Sequence, residues 1–287
     1  MLTDPKFIQR LEMLFLLARK ILSGSLKADR KTRKKGSGIL FADHADYHFG
    51  DDYRNIDWSI YGRLEELMIK LFEREEDLTV YLLIDLSPSM QAKRVYVRKL
   101  AAALGYIALS NSDRLAMYAV SDRLETILPP AHGRARIFPM LRALEAAACR
   151  GRDTDFSSCF RSFQARRHRR GVCVVISDFF TPGGYLDALK YLRWTKQDVY
   201  CLQVLDLDEL TCDWRGDVTL ECVETGRLRK VTIGPVEAAR YARTVAEWNQ
   251  TLRTECARRR IGYARATIDV PFEDVIQRIL RRGGLVA

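Results

Sequence analysis

Residues 78–89 have the sequence LTVYLLIDLSPS, an apolar run that ends in an aspartate and two serines. A short, nearly continuous apolar run is typical of a strand that is buried on both faces of a parallel sheet. Asp85, Ser87 and Ser89 stand at alternate positions where this strand emerges from the core. One carboxylate and two hydroxyls form half of an all-oxygen shell, which suits a small hard cation such as Mg²⁺.

Two later stretches supply the groups that such a shell still lacks. Residues 151–155, GRDTD, place Thr154 in a loop before a predicted helix, and residues 171–178, GVCVVISD, place Asp178 at the end of a second apolar run. Ligands of open parallel sheets bind beyond the carboxyl ends of the strands, so we expect these groups at one sheet edge. The predicted ligand set is Asp85, Ser87, Ser89, Thr154 and Asp178. The alternative is that Ser87 caps a helix and Asp178 caps a turn, without a metal.

The ligand set resembles the metal-ion-dependent adhesion site of von Willebrand factor type A domains, in which Asp-x-Ser-x-Ser is followed by Thr and then by Asp. The resemblance implies direct metal contacts from Ser87, Ser89 and Thr154. It implies largely water-mediated contacts from Asp85 and Asp178, and an acidic residue of a partner protein that completes the coordination. The predicted cofactor is Mg²⁺, with Mn²⁺ or Ca²⁺ as alternatives.

A second block, upstream of the strand, narrows the resemblance. Residues 50–58, GDDYRNIDW, are followed by Arg63 and then by the Asp-x-Ser-x-Ser strand. This order resembles the bacterial domain-of-unknown-function family 58 (DUF58) over nearly the whole chain, although the family usually has Arg at the position of Ala45 and Pro at that of Phe49. The resemblance implies an adaptor or substrate selector for a MoxR-type AAA+ ATPase, with a client protein that offers a carboxylate ligand.

From residue 77 onward, apolar runs alternate with helical stretches. This pattern predicts an α/β fold with a doubly wound, mainly parallel sheet and helices on both faces, and the resemblance makes this core, residues 77–287, von Willebrand factor type A-like. A β-hairpin is predicted as an insertion at about residues 208–234. The predicted core strands are residues 78–85, 114–120, 172–177, 199–205 and 263–268, and the predicted helices are residues 93–110, 136–149, 157–167, 185–195, 236–259 and 272–281.

Residues 1–76 form a predicted N-terminal arm that contains a helix, a basic linker and the GDDYRNIDW block. We expect the acidic and basic side chains of that block to pair with one another while its aromatic side chains pack. A sharper hypothesis makes one of its carboxylates, Asp51, Asp52 or Asp57, an internal metal ligand that a partner displaces. The reason for this hypothesis is the density of acidic residues in an otherwise aromatic segment.

Composition limits the class of protein. The chain has 287 residues, of which 47% are hydrophobic, enough for a sizeable core. No uncharged run reaches the roughly 18 residues that a membrane span needs. The seven cysteines are an odd number without a Cys-x-x-Cys pair, which indicates a reducing compartment without a zinc site. We therefore expect a cytoplasmic protein.

Two alternative functions follow from the net charge of +10 and from the predicted metal site. Basic clusters at residues 27–35, 166–170 and 258–260 can bind nucleic acid or another acidic surface, but they lack the interleaved aromatic residues of single-strand binders. The lesser alternative is an Mg²⁺-dependent hydrolase that uses Asp85. Because the chain lacks a phosphate-binding Gly-x-x-x-x-Gly-Lys loop, a Gly-x-Ser-x-Gly elbow and a His-Glu-x-x-His motif, a non-catalytic protein is favoured.

Overall fold

The computed structural model describes residues 1–25, 32–35, 40–74, 78–149, 154–181, 184–195, 197–223 and 226–281. The helices are α1 (Pro5–Ser25), α2 (Trp58–Leu64), α3 (Arg94–Ser110), α4 (Ile137–Ala146), α5 (Phe156–Ala165), α6 (Leu186–Trp194), α7 (Pro235–Arg258) and α8 (Phe272–Arg281). The strands are β1 (Thr32–Lys35), β2 (Leu40–Asp46), β3 (Met68–Arg74), β4 (Thr79–Asp85), β5 (Arg114–Val120), β6 (Leu124–His132), β7 (Val172–Ser177), β8 (Asp198–Leu205), β9 (Gly216–Glu221), β10 (Leu228–Ile233) and β11 (Gly262–Thr267).

The core sheet has the strand order β11-β8-β7-β4-β5-β6, and every neighbouring pair is parallel except β5 and β6. Every residue of β4 and β7 is buried, which explains why these strands are apolar without alternation. From β4 the chain first builds outward through β5 and β6, and then builds on the other side through β7, β8 and β11. The strand order therefore reverses between β4 and β7, so a binding crevice is expected beyond their carboxyl ends.

Helices cover both faces of this sheet, as the doubly wound prediction requires. The buried side chains on one face of β4, such as Tyr81 and Leu83, share a core with α5, α6 and α7. On the other side, α3 contacts β4 and β5 and packs against α4 and α8. The predicted α/β fold with helices on both faces is confirmed.

Most of the first helix groups with the core, whereas the predicted arm of residues 1–76 included it. The described contacts divide the chain into one unit of Met1–Ile21 with Leu78–Ala287, and a second unit of Leu22–Asp77. The ring of Phe7 lies 5.6 Å from that of Phe272 on α8, and Arg10 Nε donates to Glu273 Oε1 at 2.5 Å. Phe7 and Arg10 of α1 thus contact α8, a long-range contact that the local sequence pattern does not indicate.

Two further parts of the fold differ from the predictions. The arm contains a three-stranded antiparallel sheet with the order β1-β3-β2, in which β1 lies within the predicted basic linker and β2 and β3 were not predicted as strands. The core contains the unpredicted strand β6, whose Pro129 and Pro130 argue against a strand by local rules. The prolines are tolerated because β6 lies at the edge of the sheet, where a residue without an N–H donor does not break a hydrogen bond to a second neighbouring strand.

The predicted insertion is present as the antiparallel pair β9 and β10, which forms a sheet of its own. Cys173 and Cys201 are buried on β7 and β8 as small apolar side chains, and no disulfide is recorded in the part of the chain that the structure describes. Among the helices within the described ranges, none is both long and apolar enough to cross a membrane.

Three buried or half-buried tyrosines make the fold sensitive to alkaline pH. Burial raises the pKa of Tyr81, Tyr96 and Tyr263 to about 12. The Tyr81 hydroxyl donates to the Arg169 carbonyl at 3.0 Å. Since an unfolded tyrosine ionises near pH 10, the native protein holds more protons between about pH 10 and 12. We therefore expect the free energy of unfolding to fall as the pH rises through this range.

Urea unfolding at pH 9, 10.5 and 11.5 measures this loss. In Tyr81→Phe, which has no phenol to ionise, we expect the loss to be smaller than in the unchanged protein by about 1–2 kcal/mol. Tyr61→Phe is the control, because Tyr61 is substantially exposed. Equal pH dependence in Tyr81→Phe and in the unchanged protein would contradict the prediction.

Candidate metal centre at the sheet edge

Four of the five predicted ligands are buried at the crevice between β4 and β7. Asp85 is the last residue of β4, and Asp178 directly follows β7. The side chains of Asp85, Ser87, Thr154 and Asp178 are buried, and that of Ser89 is half-buried. Polar groups are seldom buried without a specific partner, so this edge is a built polar site and not an ordinary turn.

The Asp85 carboxylate is held on both of its oxygens. Oδ1 accepts from the Ser87 N–H at 3.0 Å, and Oδ2 accepts from Ser177 Oγ at 2.6 Å. Burial, and then the negative charge of Asp178, raise the pKa of Asp85 to about 6. The two carboxylates are therefore close enough to repel, and a nearby cation would relieve that repulsion.

The serine hydroxyls are not used as helix caps. Ser87 precedes the short 3-10 turn Pro88–Met90, but its side chain makes no capping hydrogen bond. Its Oγ instead lies 2.9 Å from Ser89 Oγ. The capping alternative fails for Ser87, whereas Asp178 does hold a turn, since its Oδ1 accepts from the Phe180 N–H at 2.9 Å.

Thr154 is tied to the same edge through its backbone. Its carbonyl accepts from Thr181 Oγ1 at 3.0 Å, and Thr181 follows β7 by a few residues. The next residue, Asp155, donates its N–H to the Ser121 carbonyl at 3.0 Å just after β5. The Asp155 carboxylate caps α5 by accepting from the Ser158 N–H at 2.9 Å. The loop that carries Thr154 is thus fixed between the ends of β5 and β7.

A lysine that sequence reasoning missed lies among these groups. Lys93 is the N-cap residue of α3, and its side chain is 1% exposed. Its Nζ donates to Asp178 Oδ2 at 2.7 Å and to the Glu209 carboxylate. Although burial disfavours the ammonium, the carboxylates of Asp178 and Glu209 outweigh that effect and raise the pKa of Lys93. Sequence reasoning missed Lys93 because its partners, Asp178 and Glu209, lie 85 and 116 residues away in the chain.

A buried amide network supports the site from behind. Gln203 Nε2 donates to the Asp178 carbonyl at 3.1 Å and to Asn249 Oδ1 at 2.8 Å. Gln203 Oε1 in turn accepts from the Tyr263 hydroxyl at 2.7 Å. These groups link β7, β8, α7 and β11, and they fix the backbone that carries Asp178. Sequence reasoning missed this network because its members are far apart in the chain.

The residues at this edge fit a hard divalent cation in their chemistry. Asp85 and Asp178 offer carboxylate oxygens, and Ser87, Ser89 and Thr154 offer hydroxyl oxygens, which is the donor type that Mg²⁺ prefers. The described residues contain no group of three or more His, Cys, Asp or Glu side chains that could hold a metal. Hard oxygen donors of this kind suit an ion such as Mg²⁺, and Lys93 neutralises part of the negative charge of the two carboxylates.

Comparison with known proteins identifies the family. The family described as "Protein of unknown function DUF58" matches residues 43–251. The chain belongs to the DUF58 family. Uncharacterized proteins of Mycobacterium bovis and Mycobacterium tuberculosis are each 27% identical over 254 residues, which is 85% of this chain and 79% of theirs. BatB from Bacteroides thetaiotaomicron is similar with a TM-score of 0.46 and 16% identity, over 71% of this chain and 98% of BatB.

In this DUF58 protein the carboxylates of the arm have local partners. Asp57 caps α2 by accepting from the Ser59 N–H at 3.0 Å, and it pairs with His44 at 3.0 Å and with Lys70 at 3.5 Å. The His44 hydrogen bond lowers the pKa of Asp57 to about 2. Asp52 caps the 3-10 turn Tyr53–Asn55, which means that it also has a structural role. These contacts favour the structural interpretation of the block over the internal-ligand hypothesis, which stays a prediction.

The expected packing of the arm is only partly correct. The charged pairs of Asp57 are with His44 and Lys70 and not with the arginines of the block. Trp58 and Tyr61 make an edge-to-face contact with ring centroids 6.1 Å apart, but both side chains are substantially exposed. The aromatic residues of the block therefore do not form a closed core among themselves.

Two of the basic clusters have structural partners. Arg166 donates to Thr126 Oγ1 at 2.7 Å, and its guanidinium lies 5.1 Å from the centroid of the Tyr118 ring. The side chains of Arg258 and Arg259 both pair with Glu255. Residues 166–170 also precede the amino end of β7, whereas Asp178 follows its carboxyl end. The side chains of the third cluster, residues 27–35, lie outside the described part of the chain.

Proposed function

We propose that this DUF58 protein is a non-catalytic, divalent-metal-dependent module for protein–protein interaction. The observation that carries the proposal is the buried convergence of Asp85, Ser87 and Asp178 at the crevice where the strand order reverses. Mg²⁺ is the favoured ion, with Mn²⁺ and Ca²⁺ as alternatives. Ser87, Ser89 and Thr154 would hold it directly, with Asp85 and Asp178 behind them.

The charge of the donor set explains why a partner's carboxylate would be attracted. A bound divalent cation supplies an electrophilic centre to which an external carboxylate can bind. The three hydroxyls are neutral donors, so they leave the positive charge of such an ion largely intact. Asp85 and Asp178 accept hydrogen bonds from Ser177 and Phe180, which restrict the movement of both carboxylates.

The partners and the setting rest on the family resemblance. A MoxR-type AAA+ ATPase would supply the mechanical work, and a client protein would offer an acidic residue. A cytoplasmic location is part of the same proposal. The absence of catalysis also belongs to the proposal, and the hydrolase alternative predicts phosphoester turnover that Asp85→Ala removes.

Calorimetric titration of Mg²⁺ and Mn²⁺ into the chelator-stripped protein tests the metal site. We expect saturable binding that weakens by more than about 100-fold in Ser87→Ala/Ser89→Ala, since losing even one outer-shell partner of a metal typically costs about 10–100-fold. Ser157→Ala/Ser158→Ala is the matched control, because these serines are half-buried on α5 and are not predicted ligands. The control should bind as the unchanged protein does.

The titration is then repeated with a glutamate-containing peptide and with a candidate ATPase. Tighter metal binding in the presence of either would support completion of the site from outside, because linkage makes the effect of metal and partner reciprocal. Equal binding of metal in Ser87→Ala/Ser89→Ala and the control would refute the proposed ligands. A folded protein that binds no metal under any of these conditions would refute the metal dependence.

A further inference from the structure

The metal site contains a cation of its own. The ammonium of Lys93 lies 2.7 Å from Asp178 Oδ2, and the side chain is almost completely buried at 1% exposure. A buried ammonium is costly unless charged partners surround it, so this position is a built one. Lys93 belongs to α3 and Asp178 follows β7, which means that the contact joins two separate elements of the core.

Glu209 holds the ammonium from the other side. It lies in the turn after β8, and its carboxylate contacts Lys93 Nζ. The Asp206 N–H donates to Glu209 Oε2 at 2.8 Å, and the Glu209 carbonyl accepts from the Tyr241 hydroxyl at 3.0 Å. With both its side chain and its backbone fixed, Glu209 is a rigid second anchor for Lys93.

We propose that Lys93 is a built-in competitor of the divalent cation for Asp178, and that Glu209 holds it in place. Like charges a few ångströms apart in a buried site repel strongly, because little water is present to screen them. A divalent ion that approaches Asp178 therefore meets the ammonium first. Metal occupancy then requires the Lys93 side chain to withdraw from Asp178. This inference rests on the proposed metal site.

The same contacts connect the site to the inserted hairpin. Tyr241, which binds the Glu209 carbonyl, also lines a groove of about 400 Å³ together with Trp214, Leu220 and Val231. The turn that anchors Lys93 is therefore itself held by α7.

Titration of Mg²⁺ into chelator-stripped Lys93→Met tests the competition. We expect binding to become at least about tenfold tighter than in the unchanged protein, because one positive charge beside Asp178 has been removed. Without metal the variant should unfold at a lower temperature, and Mg²⁺ should raise its unfolding midpoint more than that of the unchanged protein. Lys190→Met is the matched control, since Lys190 forms an exposed pair with Asp187 and should change neither quantity.

The outcomes separate this inference from the proposed function. If the unchanged protein binds Mg²⁺ and Lys93→Met binds no more tightly, the competition is refuted while the metal site stands. If only Lys93→Met binds, and Ser87→Ala abolishes that binding, the competition is supported while metal dependence of the native protein is refuted. If neither binds, both are refuted. Should Lys93→Met not fold, Lys93→Gln, which keeps a hydrogen-bond donor for Asp178, is titrated with the same criteria.

Discussion

Replacement of Asp178 by alanine is expected to lower the free energy of unfolding by about 3–5 kcal/mol and to abolish Mg²⁺ binding. Removing one partner of a buried ion pair leaves the other charge without full compensation. The Lys93 ammonium would keep only Glu209, whose side chain is 29% exposed. Urea unfolding of the chelator-treated protein measures the loss of stability, and calorimetry measures the loss of metal binding.

Two further variants test the cause of this loss. Asp198→Ala removes a carboxylate from a partly exposed pair with Arg193, so we expect a cost below about 1 kcal/mol. Asp178→Ala/Lys93→Met removes both charges, and it should be more stable than Asp178→Ala alone by at least about 1 kcal/mol. If the double variant were as unstable as Asp178→Ala, the buried ammonium would not be the reason for the loss.

Replacement of Phe163 by alanine is expected to lower the free energy of unfolding by about 3–5 kcal/mol through the cavity it leaves. Phe163 on α5 is fully buried. Its ring lies 5.2 Å from Tyr81, 5.5 Å from Tyr118 and 4.2 Å from His168, measured between ring centroids. These aromatic contacts stabilise the fold beyond the contribution of the apolar area that the side chain buries. Urea unfolding at neutral pH measures the effect.

Phe138→Ala is the matched control for this cavity. Phe138 lies on α4 and its side chain is 54% exposed, so the same truncation removes little buried area. We expect a cost below about 1 kcal/mol for the control. A cost for Phe163→Ala no greater than that of Phe138→Ala would show that the aromatic cluster does not stabilise the core face that carries α5.

The two stability predictions concern two parts of one sheet in which burial has opposite effects on stability. Phe163 packs on the apolar face of the strands, where burial stabilises the fold. Asp85 and Asp178 stand at the ends of those strands, where burial of charge opposes folding unless a cation is present. In this structure Lys93 supplies such a charge from within the chain. The apolar core thus stabilises a fold in which the burial of the two carboxylates is by itself unfavourable.

The convergence of the predicted ligands Asp85, Ser87 and Asp178 at one end of the strands was recognisable from the sequence because its signals are local. Asp85, Ser87 and Ser89 follow one buried strand at alternate positions, and a strand buried on both faces is recognisable from its continuous apolar sequence. Asp178 follows a second strand of the same kind. In a parallel sheet the ends of such strands meet at one edge, so the convergence of these residues follows from the order of the elements.

The groups that complete the site were not predictable in this way. Lys93, Glu209 and Gln203 reach Asp178 from elements that are distant in sequence, and nothing in their local surroundings marks them as partners. The strand β6 was missed for a related reason. Its two prolines are unfavourable in an interior strand, and only its position at the edge makes them acceptable.

By itself, the sequence determined the buried strands, their alternation with helices, the membership of the DUF58 family and the placement of carboxylate and hydroxyl side chains at the strand ends. These depend on local periodicity and on motifs, which a single stretch of chain carries. The tertiary structure alone decided that α1 packs in the core unit, that the arm forms a sheet and that an ammonium lies on Asp178. Those features depend on which distant side chains come within a few ångströms of one another. Many arrangements of the elements are compatible with the local sequence, and only side-chain packing decides between them.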